Sequence, residues 1–344
     1  MGVPELDELP GLDLAALTEF LPAHGITLAG PLRARLFAGG RSNLTYELSD
    51  GSTRWVLRRP PLGHVLETAH DMAREFRFIS ALGSSVVPVP DALVLCDDEA
   101  VIGVPFFVMS HVDGVIYRTR EQLEALSAAD AHRMAMALVD TLADLHEVDP
   151  AAVGLAGAGR PDGYLERQCA RLAKQRDASR TREVPGLDEL GSKLAASLPA
   201  SVRSTIVHGD YRLDNTLIGP GAVGIAAVLD WELATLGDPL VDVASLVGGW
   251  DGGKGLFAVV TSPPGQISHF PHWTTLAERY TERTGLDLDV LPWHLAFLMY
   301  KGAVIFEGIH CRYVRGETVG PGYREIGEVV PAIVEAAHAQ LAGQ

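Results

Sequence analysis

Between Ile206 and Asn215 the chain reads IVHGDYRLDN, and at 228–232 it reads VLDWE. These two segments constrain the fold more than any other feature. Thr205 to Val207 is a short β-branched run suited to a strand entering a site. His208-Gly209 turns the chain, and Asp210 sits on the loop that follows. Asn215-Thr-Leu-Ile-Gly then alternates as a strand does, GPGAVG at 219–224 supplies a turn, and Ile225 to Leu229 reads as the returning strand. A hairpin of that length brings Asp230 back beside Asn215. A loop carboxylate, an amide and a second carboxylate in this order match what phosphoryl transfer from a magnesium nucleotide requires. One carboxylate receives the proton of an attacking hydroxyl, and the amide and the other carboxylate hold the metal on the phosphates. Magnesium takes hard oxygen ligands and keeps some waters, so those two groups and the phosphates suffice. Taken singly, each residue could be a turn or a cap. The ordered set carries the chemistry.

HGDxxxxN, DWE and then GDPLVDVA at 237–244 resemble the aminoglycoside phosphotransferase family, which has the protein-kinase-like fold. Within it they are most similar to the phosphotransferase domains fused to, or encoded near, acyl-CoA dehydrogenases. The resemblance is strongest over 206–244, and it extends over most of the chain. It implies an α+β, two-lobed fold: a small β-rich N-lobe with one main helix (1–109), a connector (110–114) and a larger, mostly helical C-lobe (115–344). It further implies an enzyme using ATP and Mg²⁺ to phosphorylate a hydroxyl of a small molecule, with Asp210 as base and Asn215 and Asp230 at the metal.

Composition agrees with this reading. A chain of 344 residues, 47% hydrophobic, is long enough for two lobes with a packed core. Its net charge of −16 argues against a nucleic-acid or anionic-membrane surface. Cys96, Cys169 and Cys311 are odd in number and far apart, which fits reduced thiols better than disulfides or a zinc site. The acidic N-terminus lacks the features of a signal peptide, and no apolar run reaches the ~18 residues of a membrane span. A soluble, cytoplasmic protein is the expectation.

In the first lobe, Leu36 to Leu48 reads as a strand, a small-residue turn and an alternating strand. Such a turn can lay backbone N–H groups over phosphates, because glycine removes the side-chain obstruction. The GxGxxG of protein kinases is absent. The family resemblance is what assigns Gly39, Gly40, Ser42 and Asn43 to nucleotide covering. Arg54 to Arg58 reads as the third strand. Arg58 stands where the kinase-like fold usually has a Lys, a departure that still leaves a bidentate phosphate ligand. Ala69, Met72, Ala73, Phe76, Ile79 and Leu82 recur at helical spacing, with Glu75 beside the stripe; the resemblance makes Glu75 the expected partner of Arg58. Ala92 to Leu95 and Pro105 to Met109 are further strands. The resemblance places the adenine against Met109 to Val112, held by backbone; His111 lies within that connector, and its side chain is assigned no chemistry.

In the second lobe, Met134, Leu138, Leu142 and Leu145 define an amphipathic helix stopped by Pro150. His146, near its end, is read as bonding to nearby backbone. Helices are also expected over 163–178, with a basic solvated face, over 188–198 and around 293–309. Asp238-Pro239 can start a helix whose first turn contains Asp242. The resemblance makes His208 and Asp242 supports of the catalytic loop. Lys301, His310, Arg312 and Arg315 either meet an anionic acceptor or form a solvated helix end. The acceptor is left open between an aminoglycoside or macrolide and a hydroxyacyl compound of lipid breakdown. A non-catalytic nucleotide-binding module is the rival from another class. Oligomeric state is left open.

Overall fold

The computed structural model describes residues 9–37, 43–62, 71–201, 203–222, 224–252, 262–317 and 323–343. The chain divides into two compact units, 1–113 with 226–234, and 114–225 with 235–344. The sequence reading assigned everything beyond 114 to one lobe. The difference is the short segment 226–234, whose backbone bonds to the first unit: Val228 N donates to Pro88 O at 2.8 Å, and Arg74 Nε donates to Ala234 O at 2.9 Å.

The first unit is built on a five-stranded antiparallel sheet of β1 (Arg33–Leu36), β2 (Leu44–Ser49), β3 (Arg54–Arg59), β4 (Ala92–Cys96) and β5 (Phe106–Ser110). The spatial order is β1-β2-β3-β5-β4. The β2–β3 turn is closed by Asp50, whose carboxylate accepts from the amides of Ser52 and Thr53, while Gly51 takes the left-handed conformation at φ +89°. A helix that the sequence reading did not anticipate, α1 (Leu14–Ala23), starts at Asp13, whose side chain accepts from Ala16 N. Its Leu17 and Leu21 pack on Tyr46, Leu48, Trp55, Leu57, Phe106 and Val108. Helix α2 (Met72–Leu82), capped by Asp71, contacts the strands through Phe76, whose ring meets Phe107 edge-on at 6.0 Å. β5 is therefore buried on both faces, Phe106 and Val108 towards α1 and Phe107 towards α2.

The second unit contains α3 (Arg120–Glu124), α4 (Ala128–Glu147), α5 (Tyr164–Ala178), α6 (Leu187–Ala196), α7 (Leu240–Asp251), α8 (Trp273–Thr284), α9 (Leu291–Val314) and α10 (Tyr323–Ala342). Its strands are short: β6 (Thr205–Val207), β7 (Thr216–Ile218) and β9 (Thr235–Gly237), with β8 (Ile225–Val228) leading the chain from the second unit into the first. β6 pairs antiparallel with β9, and Gly219 N donates to Gly224 O across the turn after β7. The expected stripe Met134, Leu138, Leu142 and Leu145 on α4 is fully buried. Cys96, Cys169 and Cys311 are free and buried. Among the described residues, no helix is long and apolar enough to cross a membrane.

Candidate active site

Asp210 follows β6, at the point where the strand ends and Gly209 bends the chain at φ +85°, a conformation that favours glycine. Two amides exposed by that bend, His208 N and Gly209 N, donate to the Asp242 carboxylate at 2.6 and 2.8 Å. Asp242 is fully buried in the first turn of α7. It gets there because the Asp238 carboxylate accepts from Leu240 N at 2.9 Å and starts the helix, as the DP pair suggests. An anion in the first turn also suits the helix dipole. Beyond Asp210 a single 3₁₀ turn, Leu213–Asn215, brings Asn215 back. The Asn215 Nδ2 donates to Asp210 O at 2.8 Å and to Asp210 Oδ2 at 2.9 Å. With its nitrogen used in this way, the amide leaves Oδ1 as an available oxygen donor.

The sequence reading did not single out Arg212. Its Nε lies 3.0 Å from Asp210 Oδ1, and its terminal nitrogen reaches both Asp210 and Asp214, each at 3.2 Å. Burial raises the Asp214 carboxyl above its ordinary value, with Arg212 opposing the shift. The Asp210 side chain stays 37% exposed, so its carboxylate is oriented yet reachable. Only the two-residue spacing from Asp210 could have marked Arg212 in the sequence.

His146 differs from its expected role. It does not bond nearby backbone through its ring. It is fully buried, with Nδ1 2.7 Å from the Tyr280 hydroxyl and Nε2 3.4 Å from Asp242 Oδ2. Burial pushes the Tyr280 hydroxyl above its ordinary range. The ring thus links α8 to the carboxylate that holds the loop, a contact across 96 positions that periodicity cannot signal. The basic group assembled from 301–315 also separates. Lys301 Nζ donates to Gly209 O at 3.2 Å, His310 packs against Gly327, and Arg312 and Arg315 are exposed at the end of α9.

In the first unit, Arg58 and Glu75 meet as the family resemblance implies, with Nε 2.9 Å from Oε2. The alignment is not that of a hydrogen bond, so the contact is chiefly charge–charge. A terminal nitrogen of Arg58 donates to Asp230 Oδ1 at 2.6 Å, and Glu232 Oε2 lies 4.0 Å from it. Asn43 Nδ2 donates to the same Glu232 oxygen at 3.2 Å. Burial and the neighbouring carboxylates raise Glu75 to about 7, against the pull of Arg58. Asp230 itself sits at φ +66°, a left-handed conformation that costs a non-glycine residue roughly 1–3 kcal/mol. Trp231 pins it there, with its fully buried indole donating to Val228 O at 3.0 Å. Strain held by packing around a charged residue is characteristic of functional positions.

Met109 is buried on β5 opposite Val56, and His111 lies near Arg54, Glu47 and Asp113. Gly39, Gly40 and Ser42 lie outside the described residues. Among the described residues, no three His, Cys, Asp or Glu side chains are grouped to hold a metal. A magnesium ion bound by one amide, one carboxylate and phosphates needs no such group.

A model of the phosphotransferase enzyme family (APH) matches residues 33–278. Acyl-CoA dehydrogenase family member 11 of Gallus gallus is 35% identical over 327 residues, covering 93% of this chain and 42% of that protein. Acyl-CoA dehydrogenase family member 10 of Mus musculus is 32% identical over 322 residues, covering 91% and 30%. The chain therefore spans less than half the length of these curated relatives. Among solved structures, a protein proposed to be an aminoglycoside phosphotransferase, from Ralstonia eutropha, is 31% identical with a TM-score of 0.83, covering 96% of this chain and 98% of that one. Macrolide 2'-phosphotransferase MphH from Brachybacterium faecium has a TM-score of 0.61 at 22% identity, covering 93% and 98%, a likeness of fold alone. The α+β, protein-kinase-like fold anticipated from the motifs is the fold of this chain.

Proposed function

The chain belongs to the phosphotransferase enzyme family, and on that premise we propose that it transfers the γ-phosphoryl group of ATP to a hydroxyl of a small molecule. The observation that carries this reading is the state of Asp210. Its carboxylate is fixed by Arg212 and Asn215, the two residues before it are held through Asp242, and it remains partly open to solvent. That is the condition a general base needs to receive the acceptor's proton.

In this reading Arg58 and the backbone of Gly39 to Asn43 hold the phosphates, and Met109 to Val112, His111 included, holds the base. Asn215 and Asp230 supply oxygen ligands to Mg²⁺. The residues suit that ion: Asn215 keeps Oδ1 free because its nitrogen is spent on Asp210, and Asp230 keeps Oδ2 outside its ion pair with Arg58. Bound Mg²⁺ would neutralise charge on the phosphates. The protein's own part is placement, because a loose transition state asks for position and charge rather than new bonds.

The acceptor divides two ways. The names of the curated relatives favour a hydroxyacyl compound of lipid breakdown. The structural neighbours include aminoglycoside and macrolide phosphotransferases, one of them described with AMP-PNP and hygromycin B. Sequence identity is higher to the first group. The test is ADP release from Mg-ATP against aminoglycosides, macrolides, choline-like alcohols and hydroxyacyl-CoA esters, with Asp210→Asn alongside. Turnover on one class that disappears in the variant supports the reading and names the acceptor class. Tight ATP binding with no turnover on any class would shift the balance to a non-catalytic binding module.

A further inference from the structure

Lys301 stands on α9, 92 positions beyond Gly209, and its ammonium donates to the Gly209 carbonyl at 3.2 Å. No carboxylate of the described residues lies within ion-pair distance of its ammonium, whereas Arg212 of the same loop is paired with Asp210 and Asp214. Burial holds that ammonium below the ordinary lysine value, and Asp210 is the largest attraction opposing the shift. A half-buried amine with a single backbone carbonyl for a partner gives up hydration without a countercharge, so its placement asks for another reason.

The geometry of the loop supplies one. Gly209 O and Asp210 N belong to the same peptide group. The amides just before it, His208 N and Gly209 N, are held by the Asp242 carboxylate. The loop is therefore gripped on its N–H side by an anion and on its C=O side by a cation, at consecutive positions. The Asp210 Cα follows directly, so a rotation of that peptide plane would swing the carboxylate.

We propose that Lys301 is a positioning residue, the positive half of a clamp whose negative half is Asp242, fixing the Gly209–Asp210 peptide and thereby the direction of the Asp210 carboxylate. The assignment deepens the reading of Asp210 as base and rests on it for its catalytic consequence.

The test uses the full chain as wild type, Lys301→Met, Lys301→Arg, Lys301→Ala and Asp210→Asn. Amide hydrogen exchange across 206–216 needs no turnover and reads the clamp directly. Lys301→Met is expected to speed exchange at His208 to Asp210 about tenfold, with exchange in the helices of the second unit unchanged and the melting temperature not lowered. Unaltered exchange in this loop overturns the proposal. With an acceptor that the wild type uses, kcat in Lys301→Met is expected to fall about 10²-fold, the scale of a misplaced catalytic group, at unchanged KM for ATP. Lys301→Arg should retain more activity than Lys301→Met. Propylammonium should restore Lys301→Ala several-fold, and propanol should not. A kcat within threefold of wild type in the folded Met variant, or equal rescue by propanol, also overturns it. If the wild type turns over nothing while Asp210→Asn binds ATP equally well, the phosphotransfer reading is what fails, and hydrogen exchange still decides the clamp.

Discussion

The two units each gather charge around one central group, and they do so in opposite ways. In the first, a single guanidinium, Arg58, faces Glu75, Asp230 and Glu232 at 2.9, 2.6 and 4.0 Å. Acid outnumbers base, burial has raised Glu75 to about 7, and Asp230 is held in a strained conformation. In the second, Asp242 is met by two backbone amides and the His146 ring, and Lys301 sits on a carbonyl. There the buried carboxylate is answered by fixed dipoles. A centre short of positive charge gains when a cation arrives, whereas a satisfied network resists change. The first arrangement suits a group that changes partners as ligands come and go, and the second suits a scaffold.

That contrast can be broken most forcefully at the loop the scaffold holds. Asp210→Asn is expected to lower turnover about 10³-fold, within the range for a general base, with the urea midpoint unchanged. A folded variant of near-wild-type activity would mean that the scaffold aims nothing.

The scaffold itself should show its worth in stability. Asp242→Ala leaves the His208 and Gly209 amides buried without an acceptor and removes the partner of His146. A loss of about 2–4 kcal/mol in urea unfolding is expected, the cost of leaving such groups unsatisfied. A loss under about 1 kcal/mol would show that water replaces the carboxylate.

The crowded centre should instead show itself through pH. Because the Glu75 carboxyl is raised in the folded state, the native protein binds an extra proton that the unfolded chain releases near 4.5. Its contribution to stability is full below that value and is lost as pH rises through about 7. The urea midpoint of the wild type should therefore fall between pH 5 and pH 8 relative to Glu75→Gln, which cannot titrate. Parallel midpoints for the two proteins would place Glu75 with the satisfied groups.

The smallest effect belongs to Asp50, where the first unit uses the scaffold's kind of bonding. Amides of Thr53, Ala29 and Ser52 hold this carboxyl below its ordinary value. Its contribution is present above about pH 4, the unfolded value, and is lost as pH falls further. The midpoint gap between wild type and Asp50→Asn should be modest at pH 6 and narrow below pH 4. A gap that widens in acid would contradict the sign.

Much of this is legible in the sequence. The Asp50-Gly51 turn, the strands on either side, the α4 stripe and the Asp238-Pro239 helix start are written in adjacent residues, because turn chemistry and side-chain periodicity act over a few positions. Arg58 and Glu75 were legible for a related reason: each is placed by the register of its own strand or helix, and the fold brings those two elements together. α1 is not marked by the sequence pattern because it is short, Leu14–Ala23, and carries Pro22 within its last turn. His146 departs from its reading as a helix-end residue bonding to nearby backbone because only the fold brings Tyr280 and Asp242 to its ring.

The sequence by itself determined the order of the candidate site residues, Asp210, Asn215, Asp230 and the supporting Asp242, and the local turns that present them. Only the tertiary structure decided what supports them. Lys301 reaches the loop across 92 positions of chain, His146 joins Tyr280 across 134 and Asp242 across 96, and 226–234 leaves its sequence neighbours to bond with the first unit. The physical reason is range: dihedral preference and capping act between near neighbours, while the pairing of a buried charge depends on which surfaces the core brings face to face.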